Sequence, residues 1–191
     1  MASNSAMQFG SVAYEKDPHD YYCEPRWVVE DLADVESFWG AIWDPAAGSG
    51  NIPNVFRDRN HTTISTDIVN RGGHIDRVDD FLNPKGQRIT RVDNIVTNPP
   101  YTLAEKFARQ ALKLARRKVA VLVSLTFLES QKRKPFFNEL PPTRVWVCSK
   151  RPSMPPGGLG IEAKGGKRPY CWVVWDMLHM PDPGRTDLRW L

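Results

Sequence analysis

The sequence predicts an α/β protein built on a doubly wound, Rossmann-like sheet, mostly parallel with an antiparallel terminal strand. Three observations predict it. Apolar runs alternate with helix-like segments through most of the chain. The run "VAVLVSL" (119–125) is continuously apolar, as a strand covered on both faces should be. Late in the chain, two strand-like runs have no helix-length apolar segment between them, which predicts an antiparallel pair.

Each element has its own local signal. "PRWVVEDLADVESFW" (25–39) predicts a helix with Pro25 in its first turn. "AIWDP" (41–45) predicts a short strand ending at Pro45, and "TTISTDI" (62–68) a strand rich in β-branched residues. "HIDRVDDF" (74–81) alternates apolar and polar residues, and "DNIVTN" (93–98) is another apolar run. Residues 102–117 predict an amphipathic helix, with Leu103, Phe107, Ala111 and Leu114 on one face. Its basic end, Arg116-Arg117-Lys118, complements a helix dipole. "TFLESQKRKPFFNEL" (126–140) is a weaker helix, interrupted by Pro135. "TRVWVCS" (143–149) and "YCWVVWDM" (170–177) predict strands that place Trp146, Trp172 and Trp175 in the core. The Gly-, Pro- and Lys/Arg-rich link 150–169 is too long for a tight hairpin and reads as a mobile loop over substrate.

The 191 residues are enough for one domain with a full core, expected over 21–191 behind a flexible leader at 1–20. Hydrophobic residues at 41% and charged residues at 25% suit a soluble globular protein. No apolar run approaches the roughly 18 residues of a membrane span, and the N-terminus lacks the pattern of a signal peptide. Cys23, Cys148 and Cys171 are odd in number, far apart and not at zinc-like spacing with histidine. They predict reduced thiols in a cytoplasmic protein and no metal. The net charge of +4 is compatible with a polyanionic partner.

The chemistry-bearing residues gather at predicted strand ends. "DPAAGSG" (44–50) follows the first central strand, and its glycines allow close backbone approach to a ligand. Asp67 ends the next strand, where a carboxylate can accept from ribose hydroxyls. Asp79, Asp80 and Phe81 follow the third, where an Asp can take an amino proton and Phe81 can pack beside a ring. Neither glycine segment fits a Walker pattern, and Pro53 stands where a nicotinamide fingerprint needs its third glycine. A nucleoside without phosphates is the better ligand class. "NPPY" (98–101) ends the fourth run, with two residues that cannot donate a backbone hydrogen bond.

"DPAAGSG", "TDI", "DDF" and "NPPY", in that order and spacing, resemble the S-adenosylmethionine-dependent adenine-N6 DNA methyltransferases. "YYCEPRWVV" (21–29) is similar to their N-terminal motif, and its place ahead of the glycine loop matches the gamma-type order. The resemblance runs from about Tyr21 to Asp176. It implies S-adenosylmethionine as cofactor, its methionine part held by Asp44, Ala46, Gly48 and Gly50 and closed over by Tyr22 and Pro25. Asp67 would bind ribose with Ile68 against adenine, and Asp80 and Phe81 would meet the adenine edge. Asn98, Pro99, Pro100 and Tyr101 would hold the target base and act in catalysis. An exocyclic aromatic amine is a poor nucleophile. The Asn98 side chain and the Pro99 carbonyl could take its two protons, while donor-free prolines leave its lone pair uncontested. Tyr101 could stack on a flipped base.

DNA is therefore the expected partner, with Lys132, Arg133, Lys134, Lys164, Lys167 and Arg168 as candidate phosphate contacts. Many DNA members carry a large target-recognition domain; here only 126–142 and 150–169 could substitute, as in a small phage-like enzyme. The same acceptor set would also suit RNA adenine, cytosine N4 or a protein Gln amide. A reading of another class is a non-catalytic regulator that binds nucleic acid or cofactor.

Overall fold

Side chains along the central strands alternate between two apolar layers, which is why those strands read as continuous apolar runs. The computed structural model describes residues 7–9, 12–14, 20–72, 75–85, 91–155, 157, 166, 168–182 and 184–191. The strands are β1 (Met7–Phe9), β2 (Val12–Tyr14), β3 (Ile42–Asp44), β4 (Thr63–Asp67), β5 (Arg77–Val78) and β6 (Val92–Thr97). They continue with β7 (Ala115–Ser124), β8 (Arg144–Val147), β9 (Tyr170–Asp176) and β10 (Asp187–Trp190). The helices are α1 (Arg26–Val35), α2 (Asn51–Asp58), α3 (Ala104–Leu114) and α4 (Lys134–Glu139).

The main sheet has the order β10-β8-β9-β7-β6-β3-β4-β5. β9 runs antiparallel to both β7 and β8, and the other neighbouring pairs are parallel. β1 and β2 form a separate antiparallel pair. In β6, β7 and β9, Ile95, Val119, Val121, Val173 and Trp175 pack on one face with Ala108 and Ala111 of α3 and Phe136 of α4. Val96, Ala120, Leu122, Trp172 and Val174 pack on the other with Val28, Val29 and Leu32 of α1 and Val55 and Phe56 of α2. Trp146, Trp172 and Trp175 are buried, as the strand pattern predicts.

The structure corrects several boundaries. The antiparallel strand lies inside the sheet, because β8 and β10 continue beyond it. β10, a four-residue edge strand whose residues are all exposed, Leu188 and Trp190 included, was not foreseen. The predicted helix 102–117 stops at Leu114, and Ala115 to Lys118 already pair with β6. Arg116-Arg117-Lys118 thus begins a strand and does not cap a helix: sheet pairing overrides the helical period here. Pro135 sits in the first turn of α4, where its missing N–H costs nothing, so it starts a helix where an interruption was expected. Of the predicted strand 74–81, whose His74 lies outside the described residues, only Arg77–Val78 pairs with β4 among those described.

Lys118 takes part in a buried charge network instead. Glu36, just past α1 and 4% exposed, accepts from Lys118 Nζ at 2.6 Å, from the Arg144 guanidinium and from Trp146 Nε1 at 2.9 Å. Burial pushes the Glu36 carboxyl up, but these donors outweigh it and hold it below the ordinary range. The network fastens α1 to β7 and β8 and so holds the segment before α1 over the ends of β3 and β6.

Candidate active site

β3 has β4 on one side and β6 on the other, so the chain reverses its winding direction there. A crevice opens at such a point beyond the C-terminal strand ends. Here it is a cleft of ≈ 160 Å³. The glycine loop after β3, Asp67 at the end of β4, Asp79 to Leu82 after β5 and Asn98 to Leu103 after β6 all line it. Asp20, Tyr21, Tyr22 and Glu24 close it from the segment before α1.

Of the residues implied to hold a cofactor, Tyr22, Ala46, Gly48, Asp67, Ile68, Asp80 and Phe81 line the cleft, as do Asn98, Pro99, Pro100 and Tyr101. Pro25, Asp44 and Gly50 stand behind the wall. Pro25 precedes α1, and Gly50 precedes α2 with φ of 85°, a left-handed conformation that favours glycine. Asp44 is 1% exposed, and its Oδ1 accepts from the Ala46 N–H at 3.1 Å, shaping the loop. Burial, then the nearby Glu24 carboxyl, raises Asp44 well above the usual range.

Asp67 organises the floor. Its Oδ2 accepts from the Gly48 N–H at 2.9 Å, and its Oδ1 from the Val69 N–H and from Arg71 Nη1, each at 2.9 Å. The Arg71 guanidinium also lies 4.3 Å from the centre of the Tyr21 ring. That ring fills the space beside two glycines: a Cβ on Gly48 would come within 2.5 Å of it, and one on Gly157 within 1.8 Å. The Gly157 N–H donates to the Tyr21 carbonyl and the Cys23 N–H to the Pro155 carbonyl, so part of the 150–169 link is tied over the cleft. Asp80 Oδ1 accepts from the Leu82 and Asn83 N–H groups, while Phe81 packs edge-on against Trp43.

At the end of β6, Asn98 Nδ2 donates to the Tyr22 carbonyl at 3.0 Å and to Glu24 Oε2 at 2.9 Å. Its Oδ1 is buried and has no hydrogen-bond partner among the described residues. An unsatisfied buried acceptor costs about 1–3 kcal/mol, and this one belongs to a residue that lines the cleft. The Pro99 carbonyl likewise accepts no hydrogen bond among the described residues. Tyr101 is stacked by Tyr22, with ring centres 5.6 Å apart and planes 18° apart, and its hydroxyl lies 3.3 Å from that of Tyr170. A base that stacks on that face of Tyr101 must displace Tyr22.

A second groove of ≈ 270 Å³ shares Tyr101 and Thr102 with the cleft. Arg133, Arg168, Ser124 and Thr126 line it. Lys132 and Lys134 are exposed outside it, and Lys164 and Lys167 lie outside the described residues, as do 158–165 of the predicted mobile loop. No helix among the described residues is long and apolar enough to cross a membrane.

Sequence reasoning missed Glu24, Tyr21 and Arg71. Glu24 carried one weak signal, an acid placed directly before the helix-starting Pro25. Its partner, Asn98, is 74 residues away, and no local pattern reveals such a pairing.

No protein-family model matches the chain, and no curated protein matches it in sequence. Its fold does resemble solved structures. One is described as a "putative RNA methyltransferase" from Pyrococcus horikoshii, 14% identical with a TM-score of 0.52 over 78% of this chain and 79% of that one. Another is a "putative class I S-adenosylmethionine-dependent methyltransferase" from Listeria monocytogenes, 12% identical with a TM-score of 0.53. The match covers 87% of this chain and 62% of that one. A third is a dimethyladenosine transferase from Plasmodium falciparum, 11% identical with a TM-score of 0.53 over 82% and 63% of the two chains. At these identities the likeness is one of fold: a doubly wound, Rossmann-like sheet, mostly parallel with one antiparallel strand.

Proposed function

We propose that this chain transfers a methyl group from S-adenosylmethionine to the exocyclic N6 amine of adenine in DNA. The observation that carries the proposal is Asn98, which lines the cleft next to Pro99 and whose buried Oδ1 has no hydrogen-bond partner among the described residues. Two acceptors side by side with no local N–H donor match the two protons of an exocyclic amine. As they take those protons, the nitrogen lone pair leaves conjugation with the ring and becomes nucleophilic. Both acceptors are rigidly aimed, Asn98 by two hydrogen bonds and the Pro99 carbonyl by Pro100, which restricts the ψ of the residue before it.

The residues on the wall fit the cofactor. Gly48 and Ala46 line the cleft, and the buried acid Glu24 suits a cationic ligand. Asp67 already accepts three hydrogen bonds, and a carboxylate has about four acceptor positions, so it can take one ribose hydroxyl without losing Arg71. Ile68, Asp80 and Phe81 would border the adenine. When bound, the cofactor supplies an electrophilic methyl group; the chain's residues orient the amine and exclude water.

The groove beside Tyr101 supports a nucleic acid over a protein amide. A flipped nucleotide brings phosphates with it, and Arg133 and Arg168 border the groove with no ion-pair partner among the described residues. The deciding experiment incubates the purified protein and methyl-labelled cofactor with DNA, RNA and protein separately, followed by nucleoside analysis. N6-methyladenine in DNA is the expected product. Label confined to RNA or protein overturns the substrate, and no label in any acceptor overturns the reaction.

A further inference from the structure

We infer that Glu24 is a positioning residue for this site, fixing which way the Asn98 amide faces and strengthening its Oδ1 as an acceptor. The inference rests on the proposed amine chemistry for its catalytic consequence, but its structural basis is independent.

The Asn98 amide has two N–H bonds, and both are used: one reaches the Tyr22 carbonyl at 3.0 Å, the other Glu24 Oε2 at 2.9 Å. Rotating the amide by half a turn would press Oδ1 against a carbonyl oxygen and a carboxylate oxygen, both acceptors. The amide therefore has one orientation, and it leaves the buried Oδ1 of this cleft-lining residue without a hydrogen-bond partner among the described residues. Glu24 is itself held in place. Its backbone carbonyl accepts from Asn51 Nδ2 at 2.7 Å, and the residue is 7% exposed. A buried acid thus sits behind the catalytic amide as Tyr22 does, but with a charge that Tyr22 lacks.

That charge matters because nothing nearby neutralises it. No cation bonds to Glu24 among the described residues. The titratable groups that face it are Asp44 at the end of β3, Tyr21 on its own segment and Tyr101 after β6. Burial pushes the Glu24 carboxyl up to about 7, against the pull of the Asn98 N–H. When ionised, it makes a charge-assisted hydrogen bond that draws electron density through the amide toward Oδ1. When protonated, it accepts more weakly and presents an O–H that competes for Oδ1. The acceptor that prepares the amine should strengthen as pH rises through about 7.

Two readouts test this on the full chain. In the ligand-free protein, the Asn98 side-chain NH2 resonances, assigned by their loss in Asn98→Ala, should shift with a midpoint near pH 7. In Glu24→Gln, an isosteric change that keeps an acceptor, that inflection should vanish. In methyl transfer to DNA, wild-type kcat should rise through about pH 7. Glu24→Gln should lower kcat about tenfold, more than it changes KM, and lose that limb. Glu24→Ala, which leaves the amide unheld, should fall about a hundredfold, so that Gln partly rescues. An Asn98 signal that titrates identically in Glu24→Gln, or equal kcat in wild type and Glu24→Gln, overturns the inference. If the wild type methylates nothing, the proposed function fails and the resonance titration alone decides the positioning role.

Discussion

Glu24→Gln should stabilise the ligand-free protein at alkaline pH while leaving it unchanged in acid. Burial raises the Glu24 carboxyl from an ordinary 4.5 to about 7. The folded state therefore binds this proton more tightly than the unfolded state. Below about pH 4.5 both states are protonated, and the group costs the fold nothing. As pH rises through about 7, the fold must hold a buried carboxylate, and the stability present in acid is lost. The shift spans roughly two and a half units at 1.36 kcal/mol each, or about 3 kcal/mol at pH 8. Glutamine keeps the acceptor for Asn98 Nδ2 without the charge, and it also relieves Asp44, whose carboxyl is raised partly by Glu24. For a chain of this size, about 3 kcal/mol corresponds to a rise in Tm of roughly 6–12 °C. Melting followed by tryptophan fluorescence from about pH 4 to 8 measures it. The two melting curves should coincide in acid and diverge above about pH 5. Parallel curves across the whole range would refute the reasoning.

Three further outcomes follow from the same geometry. Asn98→Ala should lower kcat by at least about a hundredfold, the scale of losing one aligned transition-state contact, while calorimetry finds cofactor affinity retained. Glu36→Ala should destabilise the fold by about 3–5 kcal/mol in urea unfolding, because it strands the buried Lys118 and Arg144 charges. Since Glu36 is held below the ordinary range, its contribution is present above about pH 4.5 and disappears as pH falls through the lowered value. Arg133→Gln and Arg168→Gln should each reduce the slope of log affinity for a DNA oligonucleotide against log salt by about one. An unchanged slope would remove the groove beside Tyr101 from the nucleic-acid path.

Much of the fold was legible because its signals are local. A strand covered on both faces needs a continuous apolar run, and "VAVLVSL" and "YCWVVWDM" are such runs. Boundaries were less legible where two local preferences compete. Ala115 to Lys118 continue the helical pattern of α3, yet pairing with β6 and the acids Glu36 and Asp176 draw them into β7. β10 was missed because its alternation of Asp187, Leu188, Arg189 and Trp190 is only four residues long, too short to stand out from a loop. The cleft residues on strand ends were legible for another reason: loops at a switch point carry glycines, acids and prolines that a buried strand avoids.

By itself, the sequence determined a doubly wound sheet and placed a glycine loop, two acid-bearing turns and NPPY at successive strand ends. Local chemistry suffices for that, because each feature lies within a few residues of the strand it terminates. Only the tertiary structure decided that these ends share one cleft. Only it decided that Tyr22 stacks on Tyr101 and that Glu24 and Tyr22 turn the Asn98 amide outward. The reason is physical: an amide's direction depends on acceptors brought from 74 residues away, and that distance closes only when the sheet folds.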